Sequence, residues 1–437
     1  MKKLAIVSSY SDSCGNAAFT KVLRDSIELY SNNFVQVEVI ELNLSLLQSI
    51  HPRIRKTAER HVTDICRQLK TYDLVNIQFE AGLYGGQQKD IISRVKRMIS
   101  SNPNTSVTLH SPRLIGKFQN KATWILTAKR LITGKLISIY KDYYNPGFEP
   151  HINTNHTIIS FASKKKCQLI VHTKRAKTQI KNFYGYENVD VHPLVIVPEN
   201  FKTSSTELDS IKAALSIKPD EVVIGMFGYV SSYKGHSEAI DAMKYLPKKY
   251  KLLIFGRQHP QTLKDSSKDP YLVDLIEMIK QFINYESKIT KRKSDINGVK
   301  LSDKVVEKDE RIFFMGELSD KSFIEVASAV DIAWLPYYEN GQDGSGIASI
   351  CLDASPRVLC STSFAFDELF KLKKYRNYMR MDIGNYLELA SKTIMFLSLP
   401  KPEFPYGDSK EFNMKSQSQV YSRKLFSQNE SAVPNPI

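Results

Sequence analysis

Residues 222–235 read VVIGMFGYVSSYKG. Val222, Val223, Ile224, Met226 and Phe227 make a short continuous apolar run, the pattern of a strand buried on both faces of a parallel sheet; a strand with one wet face would alternate. The run opens into a loop ending in Lys234-Gly235, and a helix is predicted from His236 to about Leu246. Ligands of parallel sheets bind where strand carboxyl ends meet helix amino ends. Gly228 lets the backbone approach a ligand with no Cβ in the way. Lys234 can set an ammonium against a diphosphate, and the first amides of the following helix add partial positive charge. At ~4 Å and an effective dielectric of about 20, one such pair is worth on the order of 4 kcal/mol before desolvation. The stretch is therefore expected to bind an anion. An ordinary βα turn with a solvated lysine is the competing reading.

The chain around it has 437 residues, more than one core usually organises, so two domains are the default. Its formal charge of +15 points to polyanionic company: nucleic acid, anionic lipid or phosphorylated substrates. The five cysteines (Cys14, Cys66, Cys167, Cys351, Cys360) are scattered without CxxC spacing, as reduced thiols of a cytoplasmic protein would be. The first apolar run, Leu4 to Val7, suits a strand and is too short for a signal peptide. No run is long enough to span a bilayer.

In chain order, Leu4–Ser8 is predicted as the first strand, followed by a loop holding Gly15 and Asn16 and a helix from about Ala17 to Tyr30. The loop is not GxGxxG, which removes the main support for a nicotinamide dehydrogenase. Further strands are expected at Val35–Leu42, Leu74–Gln78, Ser106–Leu109, Gln168–Val171 and Val189–Val197, with a basic helix at about Ile54–Leu69. Glu80, His110 and the Gly15 loop thus gather just beyond strand ends, as in the wall of a cleft. A lone histidine is more often structural than catalytic. Arg113 to Lys141 carries seven basic residues and no acidic one, with Phe118, Ile125, Ile132, Leu136 and Ile139 at helical spacing. This segment fits an interfacial helix on an anionic membrane surface, or an ordinary helix packed on the sheet. Its cations lie among apolar residues, not interleaved on an aromatic β-face, so nucleic acid is not expected as a partner.

Pro198 to Asp220 reads as a polar linker running into a short helix. Beyond the opening stretch come strands at Leu252–Phe255, Ile312–Met315, Ile332–Leu335 and Val358–Cys360, and helices at about Leu272–Ile283 and Asp320–Val330. Ser287 to Glu310 is expected to be a solvated excursion, and Phe412 to Asn429 a polar helix. The exit loop of the Ile332 strand, PYYENGQDGSGIASI (336–350), sets Glu339 and Asp343 among glycines before a helix. The carboxylates could accept from sugar hydroxyls, and the amides of Ser345, Gly346 and Ile347 could meet a phosphate. A glycine-rich surface loop is the plainer reading.

Taken together, the Gly15 loop, VNIQFEAGLYGG, VTLH, FGYVSSYKGH, LLIFG, RIFFMGELSD and LPYYENGQDGSGIAS resemble a GT-B glycosyltransferase of family 4, in the cell-surface polysaccharide branch. They run in the expected order over roughly residues 1–400. The resemblance implies an α/β, GT-B chain: two Rossmann-like doubly wound domains facing a central cleft. It implies an acceptor-side domain over 1–200 with the basic insertion 113–141, a donor domain over 201–411, and a terminal helix and tail over 412–437. By that likeness Lys234 contacts the donor diphosphate and His110 lies near the transferred sugar. Gly228, Tyr229, Gly256, Glu339, Asp343 and Gly344 join the donor site. Gly316 and Leu318 approach the base, and Ser345, Gly346 and Ile347 meet phosphate. Gly15, Asn16 and Glu80 line the acceptor side. The family's arginine after the first donor-domain strand is replaced here by Gly228-Tyr229, and the later of its two glutamates, due near Ile350, is absent.

The expected activity is transfer of a sugar from a nucleoside diphosphate sugar to a hydroxyl of a glycan or lipid-linked glycan. The expected mode is retaining, without cofactor or metal, at the inner face of the cytoplasmic membrane. If the reaction inverts, Glu80 or His110 is the candidate base. A catalytically degenerate scaffold and a nucleotide-sugar epimerase are the alternatives.

Overall fold

The computed structural model describes residues 1–11, 15–32, 34–114, 131–133, 150–199, 201–202, 205–258, 269–295, 311–407 and 410–426. Most of the predicted basic insertion at 113–141, the stretch 296–310 and the last eleven residues lie outside them. Two compact units result: Met1–Ile196 with Gly341–Gly344 and Glu411–Ile437, and Val197–Asn340 with Ser345–Lys410.

The first unit is built on a six-stranded sheet ordered β2-β1-β3-β4-β5-β6, every neighbouring pair parallel. Its strands are β1 Lys2–Ser8, β2 Val35–Glu41, β3 Leu74–Phe79, β4 Thr105–Leu109, β5 Gln168–Val171 and β6 Val189–Val191. β1, β3 and β4 are wet on neither face over their length beyond Lys3; β1 does so with an apolar run, whereas β3 (LVNIQF) and β4 (TSVTL) bury polar side chains that hydrogen-bond one another, Asn76 Nδ2 with Ser106 Oγ at 2.9 Å among them. Helices Gly15–Tyr30 and Met414–Phe426 pack on each other, while helices Pro52–Leu69, Gln88–Ser100 and Pro150–Lys164 supply buried side chains to one core with the sheet.

The second unit has a six-stranded parallel sheet ordered β12-β11-β10-β7-β8-β9. Its strands are β7 Val222–Phe227, β8 Tyr250–Phe255, β9 Ile312–Gly316, β10 Ile332–Leu335, β11 Val358–Ser361 and β12 Tyr378–Met381. Each sheet reverses its direction of growth once, between β1 and β3 in the first and between β7 and β10 in the second. Loops leaving two such strands part to opposite faces and open a crevice at their carboxyl ends.

Four expectations need correction. The strand foreseen over Val189–Val197 ends at Val191, because Pro193 has no N–H to give to a ladder; Leu194–Val197 stay buried as irregular chain. The helix foreseen at Leu272–Ile283 runs from Pro270 to Asp295, so the first part of the supposed solvated excursion is helical. The helix after Gly235 stops at Met243. β12 was not foreseen: it is a partly wet edge strand, and its YMRM carries Arg380 to an ion pair with Asp367 at 2.7 Å.

Candidate active site

At the switch point of the second sheet the loops after β7 and β10 meet. Lys234 lies in a single 3-10 turn, Ser232–Lys234, closed by Gly235 in the left-handed region (φ 71°). A Cβ on Gly235 would fall 2.1 Å from the Pro336 carbonyl oxygen, so only glycine lets the two loops come this close. The Lys234 side chain is 4% exposed, and its Nζ donates to Phe227 O (3.1 Å) and to Tyr337 Oη (3.0 Å). The ammonium also lies 4.9 Å from the Tyr337 ring centroid. No carboxylate forms an ion pair with it among the described residues. Loss of hydration pulls its pKa down to about 8. The same burial, with the Lys234 charge second, pulls neighbouring His236 to about 3.

Gly228, at φ 89°, faces this ammonium: a Cβ there would stand 2.7 Å from Nζ and 3.1 Å from Ile347 Cδ1. Ile347 belongs to helix Gly346–Ala354, whose N-cap Ser345 accepts from the Ala348 amide at 3.2 Å. Tyr337 Oη accepts from Lys234, and burial raises its own pKa well above the ordinary value. A buried cation, a glycine surface and a helix amino terminus therefore converge. Gly228, Gly256 and Gly316 stand at the carboxyl ends of three neighbouring strands: Gly228 N–H donates to Phe255 O (2.9 Å) and Gly256 N–H to Gly316 O (2.8 Å). A Cβ on Gly256 would lie 2.0 Å from Gly228 O, whereas Gly316 faces open space. Half-buried Tyr229 carries the Arg257 guanidinium 5.7 Å from its ring centroid, and Leu318 is half-buried beyond β9.

Three predicted donor residues are otherwise placed. Glu339 Oε2 accepts from the Phe364 amide (2.8 Å) and Ser363 Oγ (3.1 Å), capping helix Phe364–Lys373. Asp343 and Gly344 belong with the first unit, where Asp343 Oδ1 accepts from Arg175 at 2.8 and 3.1 Å and Gly344 lies beside the His172 side chain.

In the first unit, Glu80 follows β3 and the Gly15–Tyr30 helix follows β1, so both flank that sheet's switch point. Gly15 is exposed with nothing near its Cα substituent position, and Asn16 O accepts from Thr20 Oγ1 at 2.7 Å. Glu80 is half-buried; desolvation raises its pKa, countered by a hydrogen bond from Ser111 and the charge of Arg113. His110 is 9% exposed and both its ring nitrogens are taken: Nε2 by Gln78 Oε1 (2.7 Å) and Nδ1 by His172 Nε2 (3.2 Å). Burial pushes His110 well below the ordinary histidine range and His172 to about 4. His172, Gln78 and Tyr337 were not singled out from sequence. The signal existed: VTLH, LIVH and VDVH each close a strand with histidine.

No family model matches the chain, and no curated protein does. Solved structures do. Sucrose-phosphate synthase from Thermosynechococcus elongatus aligns over 99% of this chain and 100% of its own at TM-score 0.59 and 13% identity. Anabaena HepE in complex with UDP and glucose aligns over 99% and 100% at TM-score 0.56 and 14% identity. WaaG, a glycosyltransferase involved in lipopolysaccharide biosynthesis, aligns over 99% and 98% at 0.54 and 11%. The fold is GT-B. In this GT-B chain the β7–β10 crevice is the counterpart, by topology, of the nucleotide crevice of doubly wound sheets. No described helix is long and apolar enough to cross a membrane.

Proposed function

We propose that this chain is a glycosyltransferase that moves a sugar from a nucleoside diphosphate sugar to a hydroxyl, in the manner of family 4. The observation that carries the reading is the Lys234 ammonium: buried, without a carboxylate partner among the described residues, and aimed at Gly228 beside the amino terminus of helix Gly346–Ala354. A buried cation held without an anion is costly. A diphosphate supplies the missing charge, and binding it restores the full ammonium of a lysine whose pKa has sunk to about 8.

The chemistry follows from that placement. In a retaining transfer the departing diphosphate itself can take the acceptor proton, so the protein's task is to hold negative charge as the glycosidic bond breaks. Lys234 and the amides at Ser345, Gly346 and Ile347 are preorganised for it. Gly228, Gly256 and Gly316 offer backbone in place of side chains along the donor. The UDP and UDP-glucose bound in the HepE complexes support a nucleotide-linked hexose as donor. The part WaaG takes in lipopolysaccharide biosynthesis supports a glycan acceptor of the cell surface. If the transfer inverts instead, Glu80, half-buried just beyond β3 with burial raising its pKa, is the candidate general base.

A panel of nucleoside diphosphates in a thermal-shift assay, followed by donor turnover, tests the proposal. One nucleotide should raise the melting temperature. Lys234→Met keeps most of the side-chain volume and removes the charge; it should abolish that shift and cut turnover by about 100-fold or more. Absence of any shift, or a Lys234→Met chain that binds and turns over normally, would overturn it.

A further inference from the structure

Three histidines stand level across the first sheet. Register pairs Leu109 with Val171 and Val171 with Val191, so His110, His172 and His192 each follow one rung of the same ladder. Their hydrogen bonds run in one direction: Gln78 Oε1 to His110 Nε2 (2.7 Å), His110 Nδ1 to His172 Nε2 (3.2 Å), His172 Nδ1 to His192 O (2.9 Å). The chain has two ends that are acceptors as oriented, an amide oxygen and a peptide oxygen. Three hydrogen bonds between them need three N–H protons, and two neutral imidazoles own two.

One end is fixed. A peptide oxygen only accepts, so His172 must carry its proton on Nδ1. Its Nε2 is then a bare lone pair, which obliges His110 to carry its proton on Nδ1 also. His110 Nε2 is left bare, and Gln78 must turn its NH2 toward it. The turn is feasible because the next amide can follow. Gln78 Nε2 lies 2.5 Å from Asn76 Oδ1, and Asn76 Nδ2 lies 2.9 and 3.1 Å from Ser106 Oγ and Thr108 Oγ1. Reversing both amides puts Asn76 Oδ1 opposite two hydroxyls: Thr108 Oγ1 can donate to it, and Ser106 Oγ can do so by turning from the Val75 carbonyl it now serves at 3.2 Å. The alternative is a third proton and a cation inside the fold. The surroundings give a cation no support: Phe19 sits edge-on to both rings at 5.5 and 5.8 Å, and the nearby phenol of Tyr421 is buried with its pKa raised by desolvation. The charge acting on His110 is that of His172, which repels.

We infer that His172 is a positioning residue: anchored on the His192 carbonyl, it fixes His110 as the Nδ1–H tautomer, so that His110 Nε2 can only accept a hydrogen bond. The assignment stands on hydrogen-bond geometry. Its consequence for a substrate rests on the proposed function: any group that takes the place of Gln78 on His110 Nε2 must itself donate, which selects a hydroxyl over a carboxylate or phosphate.

Histidine-selective 15N labelling of the full chain reads the tautomers directly, with His110 and His172 assigned from their single Asn variants. Both rings should show a protonated Nδ1 and a bare Nε2 at neutral pH; Nε2–H at His110 in the unaltered chain would overturn the inference without any variant. In His172→Phe, His110 should move to Nε2–H with the Gln78 oxygen as acceptor. In Gln78→Leu it should stay Nδ1–H, since the anchor is untouched. A His110 that follows Gln78 and ignores His172 would also overturn it. These spectra need no nucleotide and no turnover, so failure of the transferase reading and failure of the relay are told apart.

Discussion

At the scale of single residues, Lys234 makes a prediction with a definite sign. Its folded pKa of about 8 lies below the ordinary 10.5. Between those two values the unfolded chain holds a proton that the folded chain has released, so stability rises with pH through that window; below about 8 both states are charged and the dependence vanishes. The full span corresponds to a few kcal/mol, on the order of 3. Buried tyrosines and cysteines with raised pKa act in the opposite direction over the same range, Cys351 and Cys360 at about 12 among them. The measurement is therefore a difference: the denaturation free energy of the native chain minus that of Lys234→Met should climb from pH 8 to pH 10. A flat difference would mean that Lys234 is an ordinary solvated lysine. Nucleotide affinity should run the other way, falling above pH 8 as the free protein loses the ammonium the diphosphate needs.

At the scale of elements, Glu339 separates a ligand contact from a cap. The sequence presents it as a carboxylate in a glycine-rich loop, fit for a sugar hydroxyl. The fold sets its Oε2 on the amide of Phe364 and on Ser363 Oγ, at the start of helix Phe364–Lys373. Glu339→Ala should then cost about 1 kcal/mol of stability, as loss of a helix cap does, and leave nucleotide affinity within about twofold. A normal stability with a tenfold loss of affinity would assign it to the ligand instead. This residue also marks where reading the sequence stops. Continuous apolar runs announced β1, β7 and β10, because burial on both faces is written into the chain itself; β3 and β4 are as deeply buried but hold Asn76, Gln78, Ser106 and Thr108 inside. Glycines at strand ends announced Gly228, Gly256 and Gly316. What Glu339 touches depends on a residue in a different loop, and no local pattern records it. His172 is the same case. Its partner His110 is 62 positions away, and the two meet through the pairing of β4 with β5. Once that order is known, the recurrence of histidine after three strands becomes readable. β12 escaped for the opposite reason: its residues are partly wet and carry no apolar run to recognise.

At the scale of the whole molecule, the chain leaves the first unit near Ile196, returns to it briefly over Gly341–Gly344 and rejoins it at Glu411. Helix Met414–Phe426 is polar in composition, and nothing in it names the surface it covers. Its buried face does: Tyr421 lies 6.2 Å from Phe19, ring to ring, and Gln417 Oε1 accepts from the Val195 amide at 3.3 Å. Ser416 Oγ meets His192 Nε2 at 2.9 Å, and Arg423 pairs with Asp190 at 2.7 Å. Gln168 Nε2 donates to Val420 O at 3.1 Å. The segment thus finishes the core of the first unit while every charge proposed for the donor diphosphate stays in the second. Ending the chain after Lys410 should accordingly split two properties that a single cooperative body would lose together. Uncovering Met414, Tyr421 and Leu425, at roughly 1.5–3 kcal/mol per buried side chain, should destabilise the first unit and expose dye-binding apolar surface. The nucleotide that shifts the full chain should still shift the remaining transition of the truncated one, and Lys234→Met should still abolish that response. Loss of the nucleotide response from a truncated chain whose second transition is unchanged would show that the donor site needs the first unit, and would move the binding charge away from Lys234.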